Sequence, residues 1–103
     1  MNLDREWTST RGLSAQNYVA LLRTTYETIK AIDPGVIVVS GALSPTGFDD
    51  GRTARDDAVF MDLLIQAGML NYTDCVGAHH NGYNVSPDYT YDQIPNDPSA
   101  TFR

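Results

Sequence analysis

The run Val36-Ile37-Val38-Val39, placed directly after Asp33-Pro34-Gly35, constrains the fold of this chain more than any other stretch. Proline and glycine end a preceding helix, because proline cannot continue it and glycine permits a sharp reversal. β-Branched residues without polar alternation are typical of a strand that is covered on both faces. The stretch therefore predicts a helix that ends in a tight turn and leads at once into a buried strand.

Apolar residues before this turn recur every three or four positions, which is the periodicity of one helix face. Ser14 is expected to cap the helix at its N-terminus, and Asp33 marks its end. The predicted buried stripe consists of Tyr18, Leu21, Leu22, Thr25, Ile29 and Ile32. The pattern predicts one amphipathic helix.

A long polar loop, residues 40–57, separates the strand from a second helix. Its clustered aspartates lack the spacing and the terminal glutamate of a calcium-binding loop, so a solvated charge run is the better interpretation. Asp56 or Asp57 can cap the second helix, and Gly68 supplies its terminator. The predicted stripe of this helix is Val59, Phe60, Leu63, Leu64 and Ala67.

A second apolar run, Cys75-Val76-Gly77-Ala78, is too brief for a helix and suits a buried parallel strand. The apolar neighbours of Cys75 predict a small core residue rather than a nucleophile. Polar residues follow at once, namely His79, His80, Asn81 and Tyr83. A buried strand that ends in such a cluster has the form of a site at the carboxyl end of a sheet. The alternative is that His79 caps the strand and His80 is solvated.

The connections between the predicted elements are asymmetric. The helix-to-strand turns, near residues 33–35 and 69–74, are short, whereas the segments that follow the strands, from Ser40 and from His79, are long and polar. That asymmetry is typical of a (β/α) barrel, whose function resides in the loops after the strands. An open doubly wound sheet shares part of it, but neither strand is followed by the glycine spacing of a dinucleotide-binding loop. The expected fold class is therefore α/β.

Composition and charge argue against several kinds of partner. With 103 residues, 42% of them hydrophobic, the chain is at most one globular domain. Its net charge of −6 and its scattered basic residues argue against nucleic-acid binding. No apolar run is long enough to cross a bilayer, and the N-terminus lacks the apolar core of a signal peptide. No membrane partner and no cofactor are expected, and the localisation is left open.

Five stretches of the chain, taken as a set in this order, resemble part of a clan A glycoside hydrolase. They are Asn2-Leu3-Asp4-Arg5-Glu6-Trp7, Tyr18-Val19-Ala20-Leu21-Leu22-Arg23, Ile29-Lys30-Ala31-Ile32-Asp33-Pro34-Gly35, Val38-Val39-Ser40-Gly41-Ala42-Leu43-Ser44-Pro45-Thr46-Gly47 and Asp74-Cys75-Val76-Gly77-Ala78-His79. Such enzymes are retaining (β/α)8 TIM-barrel glycosidases with two catalytic glutamates. The resemblance implies a partial barrel that contains helix 4, strand 5, helix 5, strand 6 and the following loop. Residues 1–103 would form a single partial segment and not a complete domain.

The resemblance also implies which parts of an active site are present. In the family, the acid/base glutamate ends the fourth strand in an Asn-Glu pair with another Asn shortly after, and the nucleophile ends the seventh strand. Asn2 resembles the trailing Asn, so the acid/base position would fall just before Met1 and the nucleophile beyond Arg103. By this mapping the chain is a fragment without a catalytic residue, inactive by itself, of an enzyme that hydrolyses O-glycosidic bonds. Parents of this kind are often exported.

The carboxylates of the chain also indicate that it lacks a catalytic pair. A retaining glycosidase needs two carboxyl groups about 5 Å apart across the scissile bond. The chain has only two glutamates: Glu6 belongs to a predicted loop and Glu27 to a helix surface, and neither follows a strand. No catalytic pair is expected in this chain.

The substrate-site residues that the resemblance implies cluster after the second strand. His79 matches a histidine that lines the sugar site at the end of the sixth strand. His80 and Asn81 stand where relatives have Pro and Tyr, and Tyr83 comes two residues late. The implied substrate-binding set is Asn2, His79, His80, Asn81 and Tyr83, with a carbohydrate as the partner.

The barrel interpretation makes one geometric prediction. The two strands should be parallel, because both would lead from the same face of the barrel to the other. His79 and residues 40–44 should then lie at one end, with residues 33–35 and 71–74 at the opposite end.

Two other functions are left open. A self-standing, non-catalytic α/β module could bind a carbohydrate or a protein, although two strands with two helices leave sheet edges unpaired. The same unpaired edges predict self-association. Metal-dependent hydrolysis by His79, His80 and Asp74 is the weaker alternative, because adjacent side chains on a strand point to opposite faces. No metal is expected.

Overall fold

A computed structural model describes residues 1–7, 12–47, 49–79, 88–90 and 93 of the chain. Within these ranges the regular structure consists of helix α1 (Ala15–Ile32), helix α2 (Asp57–Gln66) and a 3-10 helix (Met69–Tyr72). Helix α1 packs against both of the others. None of the described helices is long and apolar enough to span a bilayer.

Helix α1 begins and ends where its local sequence predicts. The Ser14 hydroxyl accepts a hydrogen bond from the Asn17 N–H at 3.2 Å, which satisfies one free donor of the first turn. At the other end the Asp33 N–H reaches the Ile29 carbonyl at 2.9 Å. The Asp33 side chain then accepts the Gly35 N–H at 2.8 Å and closes the turn. The predicted cap and the predicted end are both confirmed.

The buried face of α1 differs from the predicted stripe. Four side chains of α1 are buried: Ala15, Tyr18, Val19 and Leu22. Leu21 is 51% exposed and Ile32 is 82% exposed, so the prediction that they are buried is wrong, and Thr25 is exposed as well. Successive residues of a helix are rotated by about 100°, which turns Leu21 away from the face that Leu22 presents. Only the packing partners decide which of two adjacent apolar residues is covered.

Helix α2 also follows its predicted start and stop. One oxygen of the Asp56 carboxylate accepts the N–H groups of Ala58 at 3.1 Å and Val59 at 3.4 Å. Gly68 follows the helix with a φ of 90°, a conformation that side chains with a Cβ rarely adopt. Of the predicted stripe, Val59 is 44% exposed and its expected burial is wrong. The other members are buried or pack partly buried against the core: Phe60, Leu63, Leu64 and Ala67.

One apolar core lies where the three helices meet one face of the extended chain. Its largest fully buried apolar side chains are Phe60, Leu64 and Met69, each at most 1% exposed. Val38 and Leu43 contribute from the extended segments. Burial of such side chains is the dominant favourable term in folding, so this core carries most of the stability of the described part.

The predicted fold class, an α/β partial TIM barrel, is wrong. The described residues form a small two-helix domain that contains no strand, sheet or barrel. The two segments predicted as strands, 36–39 and 75–78, are extended but meet only at isolated bridges, Val39 with Cys75 and Leu43 with Ala78. The expected burial of 36–39 on both faces also fails, because Ile37 is 69% exposed and Val39 is 56% exposed.

The ladder between the two segments fails to propagate for a local reason. The Ser40 N–H bonds to the Cys75 carbonyl at 2.9 Å, as in a parallel pair. The next amide along, that of Gly77, donates instead to the Ser40 hydroxyl at 3.2 Å. A side chain thus takes the place of a main-chain acceptor, and the regular pattern stops after one step. Cys75, expected in the core, is exposed.

The relative direction of the two segments is as predicted. Both bridges are parallel, so Leu43 and Ala78 lie towards the end from which His79 emerges. At the opposite end the Asp74 N–H bonds to the Val38 carbonyl at 2.8 Å. This direction places the residue after Ala78 beside the exit of the first segment.

The N-terminal strap, residues 1–7, packs against the loop before α2. Leu3 and Ala54 form an antiparallel bridge. The Asp4 N–H donates to the Thr53 carbonyl at 2.9 Å, and the Arg55 N–H donates to the Asn2 carbonyl at 2.9 Å. The strap therefore joins the long loop to the body of the molecule.

Candidate functional site

His79 lines an open pocket of about 280 Å³. The first turn of α2 forms one wall and the two extended segments form the other. The lining residues are Leu43, Asp57, Ala58, Met61, Val76, Gly77, Ala78 and His79. His79 is exposed and Asp57 is partly exposed, so both polar groups can reach a bound molecule.

Local sequence determines how these two polar groups arrive at the pocket. Asp56 occupies the cap position of α2, so Asp57 becomes the first residue of the helix. The bridge between Leu43 and Ala78 fixes where the second segment ends, and His79 follows directly. A helix start and the end of an extended segment thus bring Asp57 and His79 to one pocket.

The pocket combines two polar side chains with an apolar surface. The imidazole nitrogens of His79 can form hydrogen bonds, and the Asp57 carboxylate accepts them. Met61, Val76 and Leu43 provide apolar contact. Such an arrangement suits a small polar ligand that also has an apolar face.

Asn2, another predicted substrate-binding residue, is fully buried. Its Nδ2 donates to the carbonyls of Ser44 at 2.8 Å and Arg55 at 2.9 Å. Its Oδ1 accepts the Ser44 N–H at 2.9 Å. Both donor hydrogens of the amide are therefore used within the chain, and Asn2 holds the strap to the long loop. The sugar-binding role of Asn2 stays a prediction.

Three other predicted substrate-binding residues, His80, Asn81 and Tyr83, lie outside the described residues. Their placement relative to His79 stays a prediction. Within the described part, the structure brings His79 together with Asp57 and keeps Asn2 in the interior.

Asp50 organises the long loop for which the sequence predicts a solvated charge run. Its carboxylate accepts the N–H groups of Arg52 at 2.9 Å, Thr53 at 2.8 Å and Ala54 at 3.0 Å, together with the Thr53 hydroxyl. These bonds, that from the Thr53 hydroxyl above all, hold the pKa of Asp50 far below its usual range. Asp50 is exposed, as expected of a charge run, but it also folds the loop around itself.

Asp74 lies at the end of the extended pair opposite to His79. Its carboxylate pairs with the Lys30 ammonium at 2.7 Å and accepts the Val38 N–H at 2.8 Å and the Tyr26 hydroxyl at 3.3 Å. The hydrogen bond from Lys30 is the main cause of the lowered pKa of Asp74. This geometry disfavours the metal alternative, because the carboxylate is engaged away from His79. Among the described residues no three metal-ligating side chains cluster.

Sequence reasoning misses Asp57 as a site residue and treats it only as a candidate helix cap. The two adjacent aspartates are equivalent as caps in sequence, and only the fold shows that Asp56 caps the helix while Asp57 faces the pocket. An acidic residue at the start of a predicted helix is the one available signal.

Comparisons of the chain with protein-family models, curated proteins and solved structures found no match.

Proposed function

We propose that this chain is a substrate-binding part of a glycoside hydrolase that acts on O-glycosidic bonds, and that it binds carbohydrate without cleaving it. The observation that carries the proposal is the pocket in which His79 and Asp57 stand beside an apolar wall. The resemblance of the five sequence stretches to clan A enzymes supplies the substrate class.

The chemistry of the pocket fits a sugar ring. Sugar hydroxyls both donate and accept hydrogen bonds, which His79 and Asp57 can match. Sugar C–H faces are apolar and can pack on Met61 and Val76. A volume of about 280 Å³ is just below the usual range for ligand pockets, so the site suits one ring rather than a long oligosaccharide.

Three of the described carboxylates, Asp50, Asp74 and Glu27, are engaged in contacts within the chain. A general acid in a glycosidase requires a raised pKa. The pKa values of Asp50 and Asp74 are lowered instead, by the hydrogen bonds that they accept. Glu27 pairs with Arg23 at 2.9 Å on the surface of α1. We assign a catalytic role to none of these carboxylates.

Titration of the isotopically labelled chain with glucose, xylose, mannose and cellobiose, followed by amide NMR shifts, tests the binding. We expect a dissociation constant in the millimolar range for at least one sugar, with the largest shifts at Asp57, Met61 and His79. His79→Ala and Asp57→Asn should each weaken binding about fivefold, the worth of one hydrogen bond. Asp56 still caps α2 in the Asp57→Asn variant.

Gln66→Ala is the matched control, because Gln66 is an exposed polar residue at the far end of α2. It should bind sugar as the unmodified chain does. Absence of shifts with every sugar up to about 100 mM, well above a millimolar dissociation constant, would refute the binding proposal.

The family assignment has a test that does not depend on binding. In the genomic DNA, the reading frame directly upstream of the Met1 codon should encode an Asn-Glu pair. An in-frame stop codon at that place would contradict the assignment and favour the alternative of a self-standing binding module.

A further inference from the structure

The described residues that line the pocket offer a negative charge to a ligand. Asp57 contributes a carboxylate, and none of the described lining residues is a lysine or an arginine. The other titratable side chain among them is His79. Asp57 is partly exposed, so a ligand in the pocket can reach its carboxylate. The pocket therefore provides a partner for a positively charged group and no lysine or arginine for a negatively charged one.

The start of α2, which forms one wall of the pocket, does not supply an anion site either. A helix start attracts anions through its free N–H groups. Here the Asp56 carboxylate accepts the N–H groups of Ala58 at 3.1 Å and Val59 at 3.4 Å, and it adds a second negative charge. The nearest basic residue before the helix, Arg55, lies 3.6 Å from the Asp49 carboxylate. These donors and this cation are already engaged within the chain.

The sequence that follows His79 is acidic as well. Residues 80–103 contain the aspartates Asp88, Asp92 and Asp97, against a single arginine, Arg103. The whole chain carries a net charge of −6. Charge of one sign raises the local concentration of ligands of the opposite sign. Both the pocket and the chain around it therefore favour a cationic ligand over an anionic one.

We propose, on the basis of the sugar site proposed above, that its preferred ligand is an amino sugar whose protonated primary amine pairs with Asp57. Asp57 and Met61 are four residues apart on α2, so their Cβ atoms lie about 5 to 6 Å apart on one face of the helix. A single ring can thus bring its ammonium to Asp57 and a C–H face to Met61. A hydroxyl on the other side of the ring is then within reach of His79, which also lines the pocket.

The amine distinguishes this ligand from a neutral sugar of the same shape. A hydroxyl donates an ordinary hydrogen bond to the Asp57 carboxylate, whereas an ammonium forms a stronger bond in which both partners are charged. Water and salt screen the pair because the pocket is open. The gain in affinity should therefore be that of an exposed ion pair, about threefold in the dissociation constant.

Amide NMR titrations of the chain at about pH 7, where a primary amine is protonated, test the proposal. The ligands are two matched pairs, glucosamine with glucose and mannosamine with mannose, together with glucuronate and ethanolamine. In at least one pair the amino sugar should bind about threefold more tightly than the neutral sugar, and about 0.5 M salt should remove the difference. Glucuronate should bind more weakly than glucose, and ethanolamine, a cation without a ring, more weakly than the amino sugars.

Asp57→Asn should abolish the preference, so that both members of each pair bind equally. Asp62→Asn is the matched control, because it removes the same charge from an exposed residue of α2 that does not line the pocket. The preference for the amino sugar should persist in this variant. Its loss in both variants would show that net charge, and not a contact with Asp57, selects the ligand, and would overturn the proposal.

Three other results would overturn it. They are an amino sugar that binds no more tightly than the neutral sugar in both pairs, a preference that survives in Asp57→Asn, and ethanolamine binding as tight as that of the amino sugars. Neutral sugars that still bind in these cases leave the proposed function intact. Absence of shifts with every sugar, amino sugars included, refutes the proposed function and this inference together, so the two failures are distinguishable.

Discussion

The helical half of the molecule and its extended half are stabilised in different ways. Between the helices, Phe60, Leu64 and Met69 are removed from water almost completely, and non-directional apolar contact supplies the stability. In the extended half, single polar side chains hold the main chain in place. Asn2 binds the Ser44 and Arg55 main chain, and Asp74 binds the Val38 N–H.

This difference shows where each half is vulnerable. A core of many weak contacts loses stability in proportion to the volume removed, and the surroundings relax only partly. A polar side chain that satisfies several buried main-chain groups leaves all of them unpaired when it is removed. Four substitutions distinguish stabilisation by apolar packing from stabilisation by polar side chains. The loss of stability that we expect decreases from the first to the last.

Leu64→Ala tests the helical half, because Leu64 is completely buried. We expect a loss of about 3 kcal/mol in the free energy of unfolding, measured by urea denaturation. Ile65→Ala removes a neighbouring aliphatic side chain that is 45% exposed, and it should cost less than about 0.5 kcal/mol. Equal losses for the two variants would show that the core is not closed around Leu64.

Asn2→Ala tests the polar link between the strap and the long loop. It removes the partner of the Ser44 N–H and of the Ser44 carbonyl, and it takes one donor from the Arg55 carbonyl, which keeps the Thr46 hydroxyl at 3.1 Å. We therefore expect a loss of about 2 kcal/mol in thermal or urea unfolding. Asn71→Ala is the control, since Asn71 is an exposed amide with one bond to the Gly68 carbonyl at 3.3 Å. A loss no larger than that of the control would mean that the strap contributes little.

Gly77→Ala tests a close approach of the two extended segments, at Ser40 and Ala42. A Cβ at this position would lie 2.4 Å from the Ser40 carbonyl oxygen, so the segments must move apart. We expect a loss of about 1 to 2 kcal/mol and faster exchange of the Ser40 amide, with α1 amides unaffected. Gly35→Ala meets only the Asp33 carboxylate, at 3.2 Å, and should be milder. Unchanged Ser40 exchange in Gly77→Ala would contradict the close packing.

Asp74→Asn tests the electrostatic contribution at the far end of the extended pair. The pKa of Asp74 is lowered in the folded chain, chiefly by Lys30, so the folded state binds fewer protons than the unfolded state around pH 4. Its contribution to stability is present above the unfolded pKa of about 3.9 and is lost as the pH falls through the folded pKa. The melting temperature of the variant should therefore fall less than that of the unmodified chain between about pH 7 and about pH 3.

Asp62→Asn, a change of an exposed aspartate on α2, is the control for the loss of one negative charge in this measurement. Identical curves for Asp74→Asn and the unmodified chain would show that the pair with Lys30 does not stabilise the fold.

The caps of both helices can be predicted from sequence because each acts within three residues. Ser14 bonds to Asn17, and Asp56 bonds to Ala58 and Val59. The predicted parallel direction of the two extended segments is also confirmed. The role of Asn2 could not be predicted, since its partners Ser44 and Arg55 are 42 and 53 residues away in sequence.

The candidate site is predictable in part. The polar turn after an apolar run identifies His79, and the structure places it at a pocket. The place of Asp57 in the pocket is not predictable from sequence. Asp56 and Asp57 are equally good helix caps, and only the structure shows at which of them the helix begins. Its contact with the pocket depends on how α2 lies against the extended segments, which no local pattern encodes.

Local sequence alone specifies the helices, their caps and the extended character of 36–39, because propensity and capping depend on neighbours along the chain. Tertiary packing selects Leu22 rather than Leu21 for burial, and within the described part of the chain it joins 36–39 to the second segment only through isolated bridges. The physical reason is that β-branched residues favour an extended backbone but cannot supply the second strand that completes a ladder. Burial and pairing depend on partners that are distant in sequence.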